Sequence, residues 1–144
     1  HDSKKIVWRA QLSKSPEEAK KAQELLKKEL IFPGNFELFV ANKDGSERHQ
    51  VTNLGGANWG PFFHPSDRKI IFCSNHHTKG KPGIPNFDLF FVNLDGSTQE
   101  QITFCPLFDG FPMFSPDGKY LAFASNRNGK TRGETNIFVA EWQD

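Results

Sequence analysis

Several short segments of this chain return at one fixed spacing, and that spacing constrains the fold more than anything else in the sequence. Gln50-Val51-Thr52 recurs as Gln101-Ile102-Thr103, an offset of 51. Pro61-Phe62-Phe63-His64-Pro65 recurs as Pro112-Met113-Phe114-Ser115-Pro116, and Ile70-Ile71-Phe72-Cys73-Ser74-Asn75 as Leu121-Ala122-Phe123-Ala124-Ser125-Asn126, both again at 51. Leu38-Phe39-Val40 and Asp44-Gly45-Ser46 return as Leu89-Phe90-Phe91 and Asp95-Gly96-Ser97 at the same distance. One offset held through intervening loops marks a structural repeat.

The ends join the scheme with slipped loops. Lys4-Lys5-Ile6-Val7-Trp8 matches Arg68-Lys69-Ile70-Ile71-Phe72 at an offset of 64, the extra 13 residues lying in an insertion at 15–30. Asn136-Ile137-Phe138-Val139 matches Asp88-Leu89-Phe90-Phe91 at 48. Each unit reads as four short strands: a at 60–63, b at 69–74, c at 88–93 and d at 99–103. The 15 Phe residues, set beside β-branched neighbours, suit strands. Pro116-Asp117-Gly118 joins a to b, and Asp44-Gly45 and Asp95-Gly96 join c to d, with turn chemistry that supplies positive φ. These Asp-Gly pairs lack the further spaced oxygens of a calcium loop and read as turns. Asn128-Gly129 reads as a hairpin turn.

Four antiparallel strands per unit of about 40–50 residues is the β-propeller blade pattern. The expected fold is therefore all-β, about three blades of an incomplete ring. Blade 1 (b-c-d) covers 1–52, blade 2 covers 58–103 and blade 3 (a-b-c) covers 109–144. One segment breaks the all-β pattern. Ser15-Pro16-Glu17-Glu18 is a helix start with Ser at the N-cap, Pro at N1 and Glu placed for a capping box. Ala19, Ala22, Leu26 and Leu30 follow at helical spacing, so a helix is expected near 16–30, ended by Pro33-Gly34. Its Lys and Glu residues make a solvated face.

The formal net charge of +1 gives no electrostatic reason for a nucleic-acid partner, and no apolar run reaches the length that spans a bilayer, so no membrane insertion is expected. Cys73 and Cys105 fit no metal spacing, and unpaired thiols are expected. The chain begins His1-Asp2-Ser3. Starting at strand b and stopping after strand c, it reads as the C-terminal portion of a longer chain that completes the ring. Three blades leave open edges, so the isolated chain either self-associates through them or belongs to a longer chain.

Phe114-Ser115-Pro116-Asp117-Gly118-Lys119 with Leu121-Ala122-Phe123-Ala124-Ser125-Asn126-Arg127, followed by the pattern of Leu89-Phe90-Phe91-Val92-Asn93-Leu94-Asp95-Gly96 and Gln101-Ile102-Thr103, resembles the TolB-like, WD-type β-propeller repeat family. The resemblance covers nearly the whole chain apart from the helical insertion. It implies an exported bacterial propeller of six or so blades, periplasmic or secreted, its signal peptide lying in the preceding part. Propellers similar to this one also flank peptidase domains and gate access to them. Others are lyases acting on oligosaccharides with channel histidines and a metal.

Alternating strand direction sorts the connections onto two faces. The a–b and c–d turns are short and share one. The b–c and d–a loops, with the helix, share the other, and function concentrates in such variable loops. On that loop face Asn58-Trp59-Gly60-Pro61 aligns with Asp109-Gly110-Phe111-Pro112 at the entry to the innermost strand. Asn58 and Asp109 are expected to aim oxygens at the channel mouth or to cap the turn, with Trp59 and Phe111 beside them. His76 and His77 follow strand b where blade 3 has Arg127; a hydrogen-bonded loop pair is favoured over metal ligation. Arg9 faces the same rim, in an ion pair rather than on substrate, and His64 packs locally.

No nucleophile elbow, zinc-protease helix or phosphate loop is present. The sequence therefore points to a non-catalytic binding or scaffold module that docks a protein, peptide or glycan on the loop face and needs no cofactor. An accessory gating domain of a peptidase and an oligosaccharide lyase are the alternatives.

Overall fold

A computed structural model describes residues 4–31, 34–83 and 85–143. Three antiparallel sheets follow one another along the chain. The first holds β1 (Lys5–Gln11), β2 (Phe36–Asn42) and β3 (His49–Gln50) in sequence order. The second holds β4 (Asn58–Phe63), β5 (Lys69–Ser74), β6 (Asp88–Asn93) and β7 (Gln99–Gln101). The third holds β8 (Asp109–Phe114), β9 (Tyr120–Ser125) and β10 (Asn136–Glu141). Three antiparallel sheets with one inserted helix fit the expected all-β fold of incomplete propeller blades.

The two central strands of the middle blade, β5 and β6, are buried on both faces, which explains the apolar runs 70–73 and 89–92. Successive side chains on a strand point to opposite faces. Ile70 and Phe72 turn toward the first blade and join Leu38, Val40, Val51, Phe63, Phe90 and Val92 in one core. Ile71 and Cys73 turn toward the third blade and join Leu89, Phe91, Phe114, Leu121 and Phe123 in a second. Trp142 closes this second core, edge-on to Phe91 at 5.5 Å and to Phe114 at 5.3 Å. The outer side of the third blade has no such cover. Ile137 and Val139 are 73% and 66% exposed, whereas Leu89 and Phe91, their counterparts on β6, are buried against β8 and β9.

The Asp-Gly turns form as expected. Asp44, Asp95 and Asp117 each accept a backbone N–H two residues on, from Ser46 at 2.9 Å, Ser97 at 2.9 Å and Lys119 at 3.1 Å. Gly45, Gly96 and Gly118 supply the positive φ. The loop at 126–135 also turns at Asn128, at φ +60°.

Two boundaries differ from expectation. The helix α1 runs Pro16–Leu26, not to residue 30. Its start is as anticipated, since Ser15 Oγ accepts from Glu18 N at 3.2 Å; Glu18 reaches back to Lys14 N at 2.7 Å. Its end comes early because Glu29 adopts φ +59°, and Leu30 N then closes on Leu25 O at 2.9 Å. That left-handed reversal satisfies the final carbonyls. Pro33, given the stopping role by the sequence, lies outside the described residues. The d strands are also shorter than 99–103 implies. β3 and β7 stop before Thr52 and Thr103, because those threonines bond through their hydroxyls instead: Leu38 N donates to Thr52 Oγ1 at 2.8 Å, and Leu89 N to Thr103 Oγ1 at 2.9 Å.

Candidate functional site on the loop face

The innermost strands β4 and β8 begin earlier than the sequence suggested, which draws Asn58 and Asp109 out of the d–a loops and into the blade junctions. Both are fully buried. Their oxygens do not open onto the channel mouth as expected; they belong to a polar network built twice at the 51-residue repeat.

In the first junction, Glu37 at the start of β2 is the acceptor at the centre. It receives Thr52 Oγ1 at 2.7 Å, Gly55 N at 2.8 Å, Leu54 N at 3.3 Å and Asn58 Nδ2 at 3.0 Å. A buried carboxylate persists when donors surround it in this way. Asn58 also donates to Phe36 O at 2.7 Å and accepts from Ser74 Oγ at 2.6 Å. Because the single hydroxyl proton of Ser74 goes to Asn58, the contact of His76 Nδ1 with Ser74 Oγ at 2.9 Å has the imidazole as donor. Burial, with the neighbouring His77 second, holds the His76 pKa below its ordinary 6.5.

The second junction repeats the positions with more charge. Asp88 replaces Glu37, Asp109 replaces Asn58, and Arg127 replaces His76, while Thr103 and Ser125 keep the roles of Thr52 and Ser74. Thr103 Oγ1 donates to Asp88 Oδ1 at 3.2 Å; Asn86 and Gln101 amides reach Asp88 Oδ2 at 3.2 and 3.3 Å. His77 Nε2 meets the same oxygen at 2.9 Å. Arg127 Nη2 donates to Asp109 Oδ2 at 2.5 Å, and its Nε to Ser125 Oγ at 3.0 Å. Asp109 Oδ1 and His77 Nδ1 are buried with no hydrogen-bond partner among the described residues. Burial pushes the Asp88 carboxyl above its ordinary 3.8, against the opposing pull of His77; Asp109 adds to the rise.

A run of aromatic rings crosses both junctions on the same face. Phe36 meets Trp59 edge-on at 6.3 Å, Trp59 meets Phe87 at 5.0 Å, Phe87 meets Phe108 at 5.9 Å and Phe108 meets Phe111 at 6.1 Å. Arg9 caps the first end, its guanidinium 4.8 Å from the Phe36 centroid and 5.2 Å from that of Trp59. The expected ion pair of Arg9 is replaced by these ring contacts, for no carboxylate among the described residues pairs with it. At the other end Phe111 is 54% exposed and sits at φ +54°. Gly60, its counterpart in the preceding blade, has the same φ, and both lie where the innermost strand slips register against strand b. A phenyl side chain in the left-handed region is strained by about 1–3 kcal/mol, and such strain concentrates at functional positions.

The structure thus separates the candidate residues into two groups. Trp59, Phe111 and Arg9 lie along the aromatic run. Asn58, Asp109, His76, His77 and Arg127 lie in the junction networks behind it. His76 and His77, 5.9 Å apart between ring centroids, are engaged by different oxygens. No cluster of three or more His, Cys, Asp or Glu side chains suited to a metal occurs among the described residues. His64 packs locally, against Ser66 Oγ at 2.8 Å and the Phe114 ring at 4.8 Å. Cys73 and Cys105 are unpaired. Sequence reasoning did not single out Glu37, Thr52, Ser74, Asp88, Thr103 or Ser125. The signal was present, since these positions also repeat at 51.

Successive antiparallel sheets of three, four and three strands, joined by a repeated polar network, have the architecture of incomplete β-propeller blades. In sequence and fold the chain is similar to TolB-like propellers. It is 32% identical over 97 residues to the Tol-Pal system protein TolB of Alcanivorax borkumensis, a match covering 65% of this chain and 20% of that protein. A solved structure from Agrobacterium tumefaciens, assigned as a TolB, superimposes with a TM-score of 0.59 at 26% identity, covering 74% of this chain and 37% of that one. An oligogalacturonate lyase solved with manganese shares the fold alone, with a TM-score of 0.53 at 17% identity over 96% of this chain and 36% of that one. No family model matches the chain. The chain spans only about a fifth of the length of its Alcanivorax relative.

Proposed function

We propose that this chain is part of a non-catalytic binding module of an exported, periplasmic TolB-like propeller, docking a protein, peptide or glycan partner on the loop face. The observation that carries this reading is the aromatic run from Phe36 to Phe111 with Arg9 at its end. Rings that are partly exposed and held by a rigid scaffold provide contact area at low entropic cost, and aromatic residues and Arg dominate binding energy at interfaces. The short-turn face offers Asp-Gly turns whose polar groups are satisfied within the turn. The lyase alternative draws little support from His76 and His77, which are committed to Ser74 and Asp88.

The test uses the full-length parent protein, fluorescently labelled, on a peptide array and a glycan array. Hits are re-measured with Trp59→Leu and Phe108→Leu on the loop face and Lys119→Ala on the turn face. Weakening of about tenfold or more by the first two and none by the third is expected. Hits that respond only to Lys119→Ala, or depolymerisation of an oligosaccharide on the array, would overturn the reading.

A further inference from the structure

The two blade junctions hold the same network with different charge. The first is organised around one carboxylate, Glu37, and an amide, Asn58. The second places two carboxylates, Asp88 and Asp109, at the same two positions, both at most 2% exposed. An Asn at 109 could donate to Asp88 as Asn58 donates to Glu37. Asp109 cannot, and the junction instead sets Arg127 on Asp109 and His77 Nε2 on Asp88. The remaining oxygen of Asp109 and the remaining nitrogen of His77 have no hydrogen-bond partner among the described residues.

We propose that His77, Asp88, Asp109 and Arg127 form a proton-sensitive latch between the second and third blades, in which one proton taken up by Asp88 relieves the repulsion between the two carboxylates and tightens the junction. Every element packed here contributes a defined group. The 3-10 turn His76–Thr78 contributes His76 and His77, β6 contributes Asp88, β7 the neutral Gln101, β8 contributes Asp109, and the loop after β9 contributes Arg127. Glu37 pulls on His76 from the first junction. Buried like charges share a proton more readily than exposed ones, because burial weakens screening and raises the cost of a second negative charge. The upward displacement of Asp88 has that sign.

The latch is wired to the loop face by the backbone. Asp109 N donates to Phe87 O at 2.8 Å, and Phe87 carries the ring that bridges Trp59 and Phe108. Asn126 N likewise donates to Phe108 O at 3.1 Å. Loosening the junction therefore loosens the ring run, whereas the first junction holds Phe36 through Asn58 and a single carboxylate with no second acid at the equivalent position.

Hydrogen exchange measured by mass spectrometry on the full-length parent protein tests this. Opening of segment 104–111, which lies away from His76, is compared at about pH 5 and about pH 8, after correction for intrinsic exchange. The wild type is expected to open about threefold or more less often at the lower pH. Asp109→Asn, which removes one of the two carboxylates and adds no titratable group, is expected to lose that pH response. His77→Gln provides the second reading: it removes the pull that favours ionised Asp88, so the midpoint of the response moves to higher pH. A merely structural His77 would leave the midpoint where it is. An equal pH response in wild type and Asp109→Asn, or an unmoved midpoint in His77→Gln, overturns the proposal.

Discussion

Arg127 donates to Asp109 at 2.5 Å at the point where, one repeat earlier, His76 meets no carboxylate and Asn58 serves in place of the acid. Asp109 is wholly buried and Arg127 about one-third exposed. Removing only the cation leaves a buried, unpaired carboxylate. Arg127→Ala is therefore expected to destabilise the protein by about 3 kcal/mol, the low end for a broken buried pair because water still reaches Arg127. Asp109→Asn, which leaves the charge only on the side that water reaches, is expected to cost less. Urea unfolding of the two variants checks the order; equal losses would contradict it.

Glu37 offers a cleaner test of hydrogen bonding without an ion pair. Its two oxygens take four donors, so Glu37→Gln aims an amide N–H₂ at groups that are themselves donors. The expected loss is about 1–3 kcal/mol in urea unfolding, although volume and shape are kept. A neutral Glu37→Gln would mean that the network relaxes around the amide.

Gly60 and Phe111 invite a reciprocal exchange. Both sit at φ +54°, and a Cβ on Gly60 would lie 3.3 Å from Phe111 Cα. Gly60→Ala is expected to destabilise by about 1–2 kcal/mol through the left-handed backbone alone. Phe111→Gly relieves the same strain and removes an exposed ring, so stability should hold or rise by about 1 kcal/mol. Binding of any partner found on the loop face should fall in that variant. A less stable Phe111→Gly would show that the ring packs on something that offsets its strain.

How much of this was legible beforehand depended on whether a residue's role is local. The Asp-Gly turns and the Ser15 cap are decided within a few residues, and the sequence placed them correctly. The blades followed from a repeat that no loop could disguise. Asn58 and Asp109 read from sequence as channel-mouth residues or turn caps, because a polar residue before a strand looks the same whether it faces water or a neighbouring blade. Only the packing of one sheet on the next buries it. Thr52 and Thr103 were read as strand because a hydroxyl that replaces a ladder bond leaves the β-branched pattern unchanged. The early end of α1 was hidden because Glu29, not glycine, makes the reversal.

The two thiols should separate by reactivity. Cys73 is fully buried, donates to Trp59 O at 3.4 Å, and has its pKa pushed up to about 11 chiefly by burial. Cys105 lies part-exposed. Thiolate is the reactive form, so a maleimide at neutral pH should label Cys105 in the native protein and Cys73 only after unfolding. Labelling of Cys73 under native conditions would mean that the second core opens locally.

His76 and Asp88 give stability opposite dependences on pH, and a single substitution should reveal one of them. His76 resists protonation in the fold, so between its depressed value and 6.5 the unfolded chain binds more protons than the folded one. Its contribution is therefore complete above 6.5 and is lost as pH falls through that window. Asp88 is displaced upward, so the folded chain binds more protons from 3.8 up to the raised value, and stability falls as pH rises there. His76→Phe keeps the ring contact with Phe90, 4.6 Å between centroids in the wild type, but cannot titrate. Loss of the Ser74 bond should make the variant less stable than wild type at about pH 8, by about 1 kcal/mol. As pH falls below 6.5 that deficit should shrink, because only the wild type then loses the His76 contribution. Urea unfolding at several pH values reads the gap directly. Parallel curves for the two proteins would show that the imidazole is as easily protonated in the fold as outside it, and that burial imposes no cost on the charged form.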